Sequence, residues 1–563
     1  MRAGRIRSAS RKVRASPGRG SWPGHRCCLS SPGPGRQRGA PGCRGGPAPA
    51  ASTTKPRGTR THHRHPVALA ALAVLATLAG AARAGGFSAG NLIVSRTVYA
   101  GDASTVAVGQ ALPGGGKAIA DGSFPNVFKN ESPDPSFGIT APVFLDQLTQ
   151  SGAHVSTLAI DPARLTTSFA SKSELGLNIS QDGRSVTFMG YVAAVNQLDV
   201  SNANTPGVLD PTNPVKTVVQ RGIATVSLAT GALGVTAVNA YSGNNGRNAV
   251  LAGGNYYTVG NAGNSGKGVS GAVLSQLSDD TGLQMIAAGQ SGATTVVGKT
   301  YGSAGSTTGY QHGFSTVATG GAADKTGKDD NFRGETLFGN TLYVTKGSGG
   351  NGVNTVYQVG TAGELPSATT ASSIAITPLA GFPTSGTATH PFGLWFANST
   401  TLFVADEGDG QARGTPGKDM SGAGLDEYRL VGGSWVETQV FQKGLLDQAG
   451  YSEGLLWTVQ TDGLLNLTGE VDADGSYTLF ATTSTVSNES THDQGADPNE
   501  IVSIHLDAAS TAADTSFSIV ETAAAGERFG GVALTPVPEP GNAALLLAGV
   551  GLLAGAARRR RVG

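Results

Sequence analysis

The side chains of this sequence best suited to hold a metal ion are carboxylates in turns. Asp406 and Asp409 fall within ADEGDG, and Asp472 and Asp474 fall within VDADGS. Carboxylate oxygens presented by a turn are ligands that Ca²⁺ prefers, so these four residues are the weak candidates for a structural Ca²⁺ site. Asp-Gly is also an ordinary hairpin turn pair, and the second segment lacks the Glu that closes a calcium loop. No other cofactor is indicated.

Two short motifs match functional loops but lack the elements that such loops need. GYSEG (450–454) has the spacing of a nucleophile elbow around Ser452, yet the following LLWTVQTDG is typical of a strand, whereas the elbow needs a helix. GSGGNG (347–352) matches a dinucleotide-binding loop and is likewise followed by a strand pattern. We therefore predict no catalytic residue, and a non-enzymatic role is favoured over an enzymatic one.

The charge is divided unevenly along the 563 residues. Met1 to Ala84 holds sixteen of the forty Lys and Arg residues, and Arg558 to Arg561 hold four more. The twenty basic residues between them face all 39 acidic ones, a formal charge of about −19. An acidic body argues against nucleic acid as a partner, because phosphates need Lys and Arg for neutralisation. All three cysteines precede residue 44, so the body has neither disulfide nor thiolate.

The segment 61–84 is predicted to be a secretory signal peptide. Basic residues precede a short apolar run from Val67 to Ala79, and Ala82 and Ala84 form an A-x-A cleavage site before Gly85. Residues 1–60 are rich in Arg, Gly, Pro and Ser without apolar periodicity, which predicts disorder. A long basic arm ahead of an export signal has no evident use, so we expect translation to start downstream of it.

The segment 537–563 ends the chain with three features in a fixed order. Val537, Pro538, Glu539 and Pro540 precede an apolar run from Gly541 to Ala557, and a cap of four arginines follows it: Arg558, Arg559, Arg560 and Arg561. The apolar run predicts a single transmembrane helix, and the arginines would stay on the cytoplasmic side. The core of the run, Ala543 to Ala557, is short for a bilayer, at about 22 Å of helix.

This arrangement resembles the PEP-CTERM sorting signal of exported proteins in Gram-negative bacteria. The resemblance implies as partners the export machinery and an exosortase-type membrane protease that cuts near the Pro-Glu-Pro motif. It also implies a location: transient residence in the inner membrane through the C-terminal helix, then the outer envelope or the extracellular space. Extracellular polysaccharide and envelope proteins are the further partners expected there.

The body of the chain, 85–536, is predicted to have an all-β fold. Short β-branched runs bounded by Gly, Asn and Asp turns recur, among them NLIVSRTVYAG (91–101), TLYVTKG (341–347) and TLFVADEG (401–408). Similar units begin near 91, 174, 247, 332, 391, 455 and 529. Their spacing predicts a β-propeller of six or seven four-stranded blades, with GGVALTP (530–536) completing the first blade beside NLIVSR. A β-helix is the alternative.

Four segments of the body are shared with a known group of domains: LNISQDGRSVTFMGY (177–191), NGRNAV (245–250), NFRGETLFGNTLYVT (331–345) and RFGGVALTP (528–536). Through them the body resembles the propeller-like domains that accompany PEP-CTERM tails, a resemblance that implies fold and location but no activity. Arg247, Arg333 and Arg528 recur near the starts of units, and we expect them to tether neighbouring blades through backbone carbonyls. The function expected is that of an exported envelope or extracellular-matrix protein with a binding or structural role. The alternative is a Ca²⁺-dependent hydrolase, acting on a lactone, ester or glycan in the propeller funnel.

Overall fold

Six four-stranded antiparallel sheets, arranged around an axis as a six-bladed β-propeller, make up the fold. The computed structural model describes residues 85–99, 138–169, 171, 173–198, 200–213, 215–263, 270–302, 311–313, 330–347, 352–386, 388–410, 423–452, 455, 458–487 and 497–537. The innermost strand of each blade contacts the innermost strands of both neighbouring blades, so the ring is closed.

The first three blades come from the first part of the chain and from its last strand. Blade 1 consists of β1 (Leu92–Val98), β3 (Val143–Leu148), β4 (His154–Ala159) and the innermost strand β30 (Glu527–Leu534). Blade 2 consists, from the axis outward, of β6 (Asn178–Ile179), β7 (Ser185–Tyr191), β10 (Arg221–Ser227) and β11 (Leu233–Val238). Blade 3 consists of β12 (Gly246–Ala252), β13 (Asn255–Gly260), β14 (Gly282–Ala287) and β15 (Thr295–Val297).

The other three blades are simple meanders in chain order. Blade 4 consists of β18 (Glu335–Phe338), β19 (Thr341–Lys346), β20 (Thr355–Val359) and β21 (Ile376–Pro378). Blade 5 consists of β22 (Pro391–Asn398), β23 (Thr401–Asp406), β24 (Gly424–Val431) and β25 (Ser434–Phe441). Blade 6 consists of β26 (Val459–Val471), β27 (Tyr477–Ser487), β28 (Glu500–Leu506) and β29 (Ser518–Thr522).

Small elements lie between the strands of the blades. Three pairs are β2 (Ile139–Ala141) with β5 (Thr167–Phe169), β8 (Ala203–Asn204) with β9 (Val215–Val218), and β16 (Thr300–Tyr301) with β17 (Gln311–His312). In the part of the chain that the structure describes, 3-10 helices span Val200–Asn202 and Ala371–Ser373.

One α-helix, α1 (Gly271–Asp279), occurs in the described part of the chain, between β13 and β14. The Ser270 hydroxyl caps it by accepting the Val273 N–H, and Leu274 and Leu277 are its buried apolar residues. The strand patterns of the sequence did not predict this helix.

The apolar core consists mainly of six clusters, one between each pair of neighbouring blades. A middle strand is therefore covered on both faces, as in β19, where all six residues are buried. The outermost strand β4 is almost fully exposed. This explains why the middle strands do not alternate strictly between apolar and polar residues.

The two ends of the chain meet in blade 1. Strand β30 pairs with β1 from Leu92 opposite Leu534 to Val98 opposite Glu527, which confirms the predicted closure and removes an open sheet edge. Because the units near 91 and 529 belong to one blade, the blades number six and not seven. The β-helix alternative is wrong, since the strands pair in antiparallel sheets of four.

The predicted sorting elements fall mostly beyond the described residues. Gly85 and Val537 are the first and last residues described, whereas Ala82, Ala84, Pro538 to Pro540 and Arg558 to Arg561 lie outside. Among the residues that are described, no helix is long and apolar enough to cross a membrane. The signal peptide and the PEP-CTERM signal stay predictions.

Candidate functional site

The propeller has two faces with different chemistry. We call the face at which the inner strands begin the loop face; Arg247, Arg333 and Arg528 lie there. We call the opposite face, where Gly253 and Asn340 form turns between first and second strands, the cavity face. The described chain also enters and leaves at the cavity face. The Phe87 N–H bonds the Leu228 carbonyl at 2.7 Å, and Pro536 lies beside Gly183.

The three arginines of the loop face connect neighbouring blades. The Arg247 Nη1 donates to the Phe332 carbonyl of the next blade at 2.6 Å. The Arg528 Nη1 donates to the Asp497 carbonyl at 3.2 Å. The Arg333 Nε lies 3.9 Å from the Glu407 carboxylate, an ion pair between blades 4 and 5. Tethering to carbonyls is confirmed for Arg247 and Arg528, and Arg333 uses a carboxylate instead.

Acidic side chains of the loop face accept backbone N–H groups. The Asp406 carboxylate accepts from His390 at 2.6 Å and from Gly408 at 2.9 Å, and Asp462 accepts from Gly410 at 2.8 Å. Burial raises the pKa of Asp406 to about 7, with the two backbone bonds lowering it and the charges of Glu407 and Asp462 adding to the rise. These carboxylates hold two segments of blade 5 in place, its entry at His390 and the loop after β23, and Asp462 does so from blade 6.

The four metal candidates are not brought together. Asp406 is buried at the loop face and Asp409 is exposed beside it. Asp472 and Asp474 lie in the β26–β27 turn, where the Ser476 hydroxyl donates to Asp474 at 2.6 Å and to Asp472 at 3.2 Å. Within the described ranges, no group of three or more His, Cys, Asp or Glu side chains is arranged to hold a metal ion.

Two carboxyl groups are buried without the partners that such groups normally have. Glu335 is 5% exposed, and neither carboxyl oxygen has a hydrogen-bond partner. Asp426 is 4% exposed, and its Oδ1 has none. Burial raises the pKa of both well above its ordinary value, and for Asp426 the charges of Asp406 and Glu437 add to the effect. In both residues burial disfavours the charged form of the carboxyl group.

An axial cavity of about 490 Å³ opens at the cavity face. Every inner strand contributes to its wall: Asn178 and Ile179 from β6, Val250 from β12, Thr336 and Leu337 from β18, Leu394 and Trp395 from β22, Leu467 to Gly469 from β26, and Ala533 and Leu534 from β30. Among these and the other described lining residues there is no Asp, Glu, Lys, Arg or His. The volume lies in the range typical of small-ligand sites.

Some polar atoms of the cavity wall form hydrogen bonds within the protein, and others can form hydrogen bonds to a ligand. The Asn178 amide nitrogen donates to the Asn248 side chain and to the Ala249 carbonyl, both at 3.2 Å, which leaves its oxygen available. The Thr468 hydroxyl oxygen accepts the Leu534 N–H at 3.3 Å and keeps its proton free to donate. The Thr336 hydroxyl makes no hydrogen bond within the described chain.

The rim of the cavity is held by amide contacts between turns. The Gln181 Nε2 donates to the Asn340 Oδ1 at 2.9 Å, and the Gln181 Oε1 accepts the Gly253 N–H at 2.9 Å. Asn340 occupies a left-handed position (φ 56°) in the two-residue turn between β18 and β19, where Asn is favoured. The turns of blades 2, 3 and 4 are thus linked side by side.

Trp395 forms an aromatic part of the wall. Its ring stacks on Phe403 at 6.0 Å between centroids and meets the edge of Tyr477 at 6.3 Å. A Cβ on Gly469 would lie 3.1 Å from the indole, so this glycine lets the ring and the backbone approach closely. The half-buried indole is held in one orientation by these contacts.

Sequence reasoning did not single out Thr336, Trp395, Thr468 or Glu335 as site residues. Trp395 lies in the repeated unit that begins near 391, which contributed to the sequence analysis only as a repeat. Ser452, in GYSEG, is followed by strand β26 in the described chain, as the sequence predicted.

No protein-family model matches the chain, and no curated protein matches it. Among solved structures, an ACO/RPE65 chimera is 8% identical with a TM-score of 0.21, and the match covers 71% of this chain and 59% of that one. Two structures of a polysaccharide lyase, PL25 ulvan lyase, are 11% identical with TM-scores of 0.27. These matches cover 74% and 77% of this chain and 93% and 94% of theirs. At such scores the likenesses carry no argument about ligand or activity.

Proposed function

We propose that the protein is an exported β-propeller that acts in the cell envelope or extracellular matrix by binding, not by catalysis. The observation that carries this proposal is the axial cavity, to which all six inner strands contribute amide, hydroxyl and apolar groups but no ionisable side chain. A wall of this kind offers hydrogen bonds and apolar contact, but no general acid, general base or nucleophile of the usual types.

Export and sorting form the second part of the proposal. They are supported by the sequence features of 61–84 and of 537–563. Gly85 and Val537 both belong to the cavity face, because Gly85 lies against Thr230 and Val537 against Gly90. A membrane-inserted tail would thus hold the cavity face toward the bilayer until an exosortase-type protease releases the protein.

The alternative is a Ca²⁺-dependent hydrolase that works at the loop face. Its candidate ligands at the loop face are Asp406, Glu407 and Asp462. Asp406 and Asp462 already accept backbone N–H groups, and Glu407 pairs with Arg333. Metal binding there would require these loop contacts to be exchanged for oxygen–metal bonds.

Fractionation of the host cell, followed by intact-mass measurement of the protein in each fraction, tests the proposal. We expect a chain that starts near Gly85 and ends near Pro538, found in the outer-envelope or extracellular fraction. A cytoplasmic chain that still carries residues 61–84 would contradict export. A chain that retains Arg558 to Arg561 in the membrane fraction would contradict release by sorting.

A further inference from the structure

The chemistry of the axial cavity restricts the class of ligand. A phosphate, sulfate or uronate group would be desolvated in the cavity without an Arg, Lys or His to pair with, and a cation would lack a carboxylate. Burying an unpaired charge is strongly unfavourable. The ligand group that enters the cavity is therefore uncharged.

The available polar atoms suit a ligand that carries hydroxyl groups. The Asn178 Oδ1 can accept, the Thr468 hydroxyl can donate, and the Thr336 hydroxyl can do either. A hydroxyl group both donates and accepts, so it can satisfy any of the three. A purely apolar ligand would leave these atoms without the hydrogen bonds that they make to water.

The cavity also has an apolar side. Trp395 and the aliphatic residues Leu394, Leu467 and Leu534 form part of its wall. A pyranose ring has hydroxyl groups at its edge and C–H groups on its faces, which matches a wall of hydroxyls and amides with an indole and leucines beside them.

A surface groove continues from the rim of the cavity. A depression of about 690 Å³ shares Asn340 with the cavity and runs along Gly360 to Thr377. Its wall carries the hydroxyl side chains of Ser367, Thr370 and Thr377, and Glu364 is its one ionisable residue among those described. A chain-like ligand with its end in the cavity would leave over Asn340 into this groove.

We propose that the axial cavity binds the end of an uncharged carbohydrate chain, with the next sugars lying along the groove beyond Asn340. The assignment rests on the proposed function, since it names the ligand class of the same cavity. Thr336, Thr468 and Asn178 bond the sugar hydroxyls, and Trp395 contacts a sugar face.

Calorimetric titration of the full chain in a non-glycosidic detergent tests the proposal. The probes are three neutral tetrasaccharides, cellotetraose, maltotetraose and laminaritetraose, with tetragalacturonate as the charged comparison. We expect at least one neutral probe to bind ten or more times more tightly than the charged one. Thr336→Val and Trp395→Phe should each weaken that binding about tenfold. Thr438→Val, on the exposed outer strand of blade 5, should leave it unchanged. Thermal unfolding of every variant reports whether the fold is retained.

Each outcome decides the assignment. Selective neutral binding that is lost in the two cavity variants supports it. Equal binding of the charged probe, unchanged binding by Thr336→Val, or no binding by the whole panel overturns it. If none of the tetrasaccharides binds while the protein is still exported and retained by the envelope, the assignment of a carbohydrate ligand is wrong. The proposed binding function is then still supported. If the protein is not exported but binds neutral sugars through Thr336, the proposed location is wrong and the assignment of the ligand class is supported.

Discussion

Replacing Glu335 by Gln should make the protein more stable at neutral pH than it is with the native residue. Glu335 lies opposite Val344 in the β18–β19 pair, and Val344 belongs to the apolar cluster between blades 3 and 4. Neither carboxyl oxygen has a partner, and burial raises the pKa of the carboxyl well above its ordinary value. Gln has nearly the same shape and cannot ionise.

The sign follows from proton binding in the two states. Above about pH 4.5 the unfolded chain releases the Glu335 proton, whereas the folded chain keeps it until the raised pKa is reached. The folded state then binds more protons, so the free energy of unfolding falls as the pH rises through this window. The slope that one such group adds is about 1.4 kcal/mol per pH unit. The advantage of the Gln variant grows at that rate over the same window and is absent below it.

Denaturant unfolding of the purified wild type and Glu335→Gln from pH 4.5 to 8 measures the effect. The exposed Glu364→Gln, in the same blade, is the matched control for losing one carboxyl group. A stability difference between Glu335→Gln and wild type that does not change with pH would refute the reasoning. So would a variant that loses stability relative to wild type as the pH rises.

Three further outcomes follow from the closure of the ring and from its axis. A chain that ends before Glu527 lacks β30 and should lose cooperative unfolding in denaturant. The reason is that each large buried side chain removed, such as Val532, costs about 1.5–3 kcal/mol, and the ring is reopened. A chain that ends at Val537 is the control, and loss of cooperativity in this control as well would contradict the explanation. Asn466, in β26, accepts the Val532 N–H of β30 at 2.8 Å and so links blades 6 and 1. Asn466→Ala removes this acceptor, so denaturant unfolding should show a loss of about 1–3 kcal/mol. A variant as stable as wild type would contradict a contribution of this bond to closure. Retention of the C-terminal tail in lipid vesicles should hinder long polymers from reaching the cavity, because the five residues between Val537 and the core of the apolar run, which begins at Ala543, span at most about 17 Å. Equal binding by vesicle-bound and tail-free chains would count against this geometry.

The repeated strand patterns were sufficient to predict the propeller, because each unit carries its own β-branched runs and turn residues. The pairing of NLIVSR with the last strand was also predictable, since GGVALTP is too short to form a blade alone. The blade number was left between six and seven because the units at 91 and 529 look like two starts and form one sheet. The helix α1 was missed because its nine residues bury only two leucines, which is a weak periodic signal.

The axial cavity and its lining residues could not be predicted from the sequence. Which residue of an inner strand faces the axis depends on local register, and β26 shifts register twice, after Thr461 and after Leu464. Glu335 sits at the start of a strand, where a carboxylate is usually exposed, so its burial depends on the neighbouring blade. The hairpin turn around Asp472 was visible in the sequence and is the β26–β27 turn, but only the fold places Asp406 at the loop face.

Co-sedimentation of the purified protein with insoluble envelope material from its host tests most directly whether the protein works through the axial cavity. Thr336→Val alters the cavity, and Glu407→Gln alters the loop face, where the hydrolase alternative would act. We predict that Thr336→Val weakens retention of the protein about tenfold, because one hydrogen bond to the ligand is lost. Glu407→Gln removes no bond to the ligand, so its retention should stay within about twofold of wild type. Retention that is lost with Glu407→Gln and kept with Thr336→Val would contradict the account and place the function at the loop face.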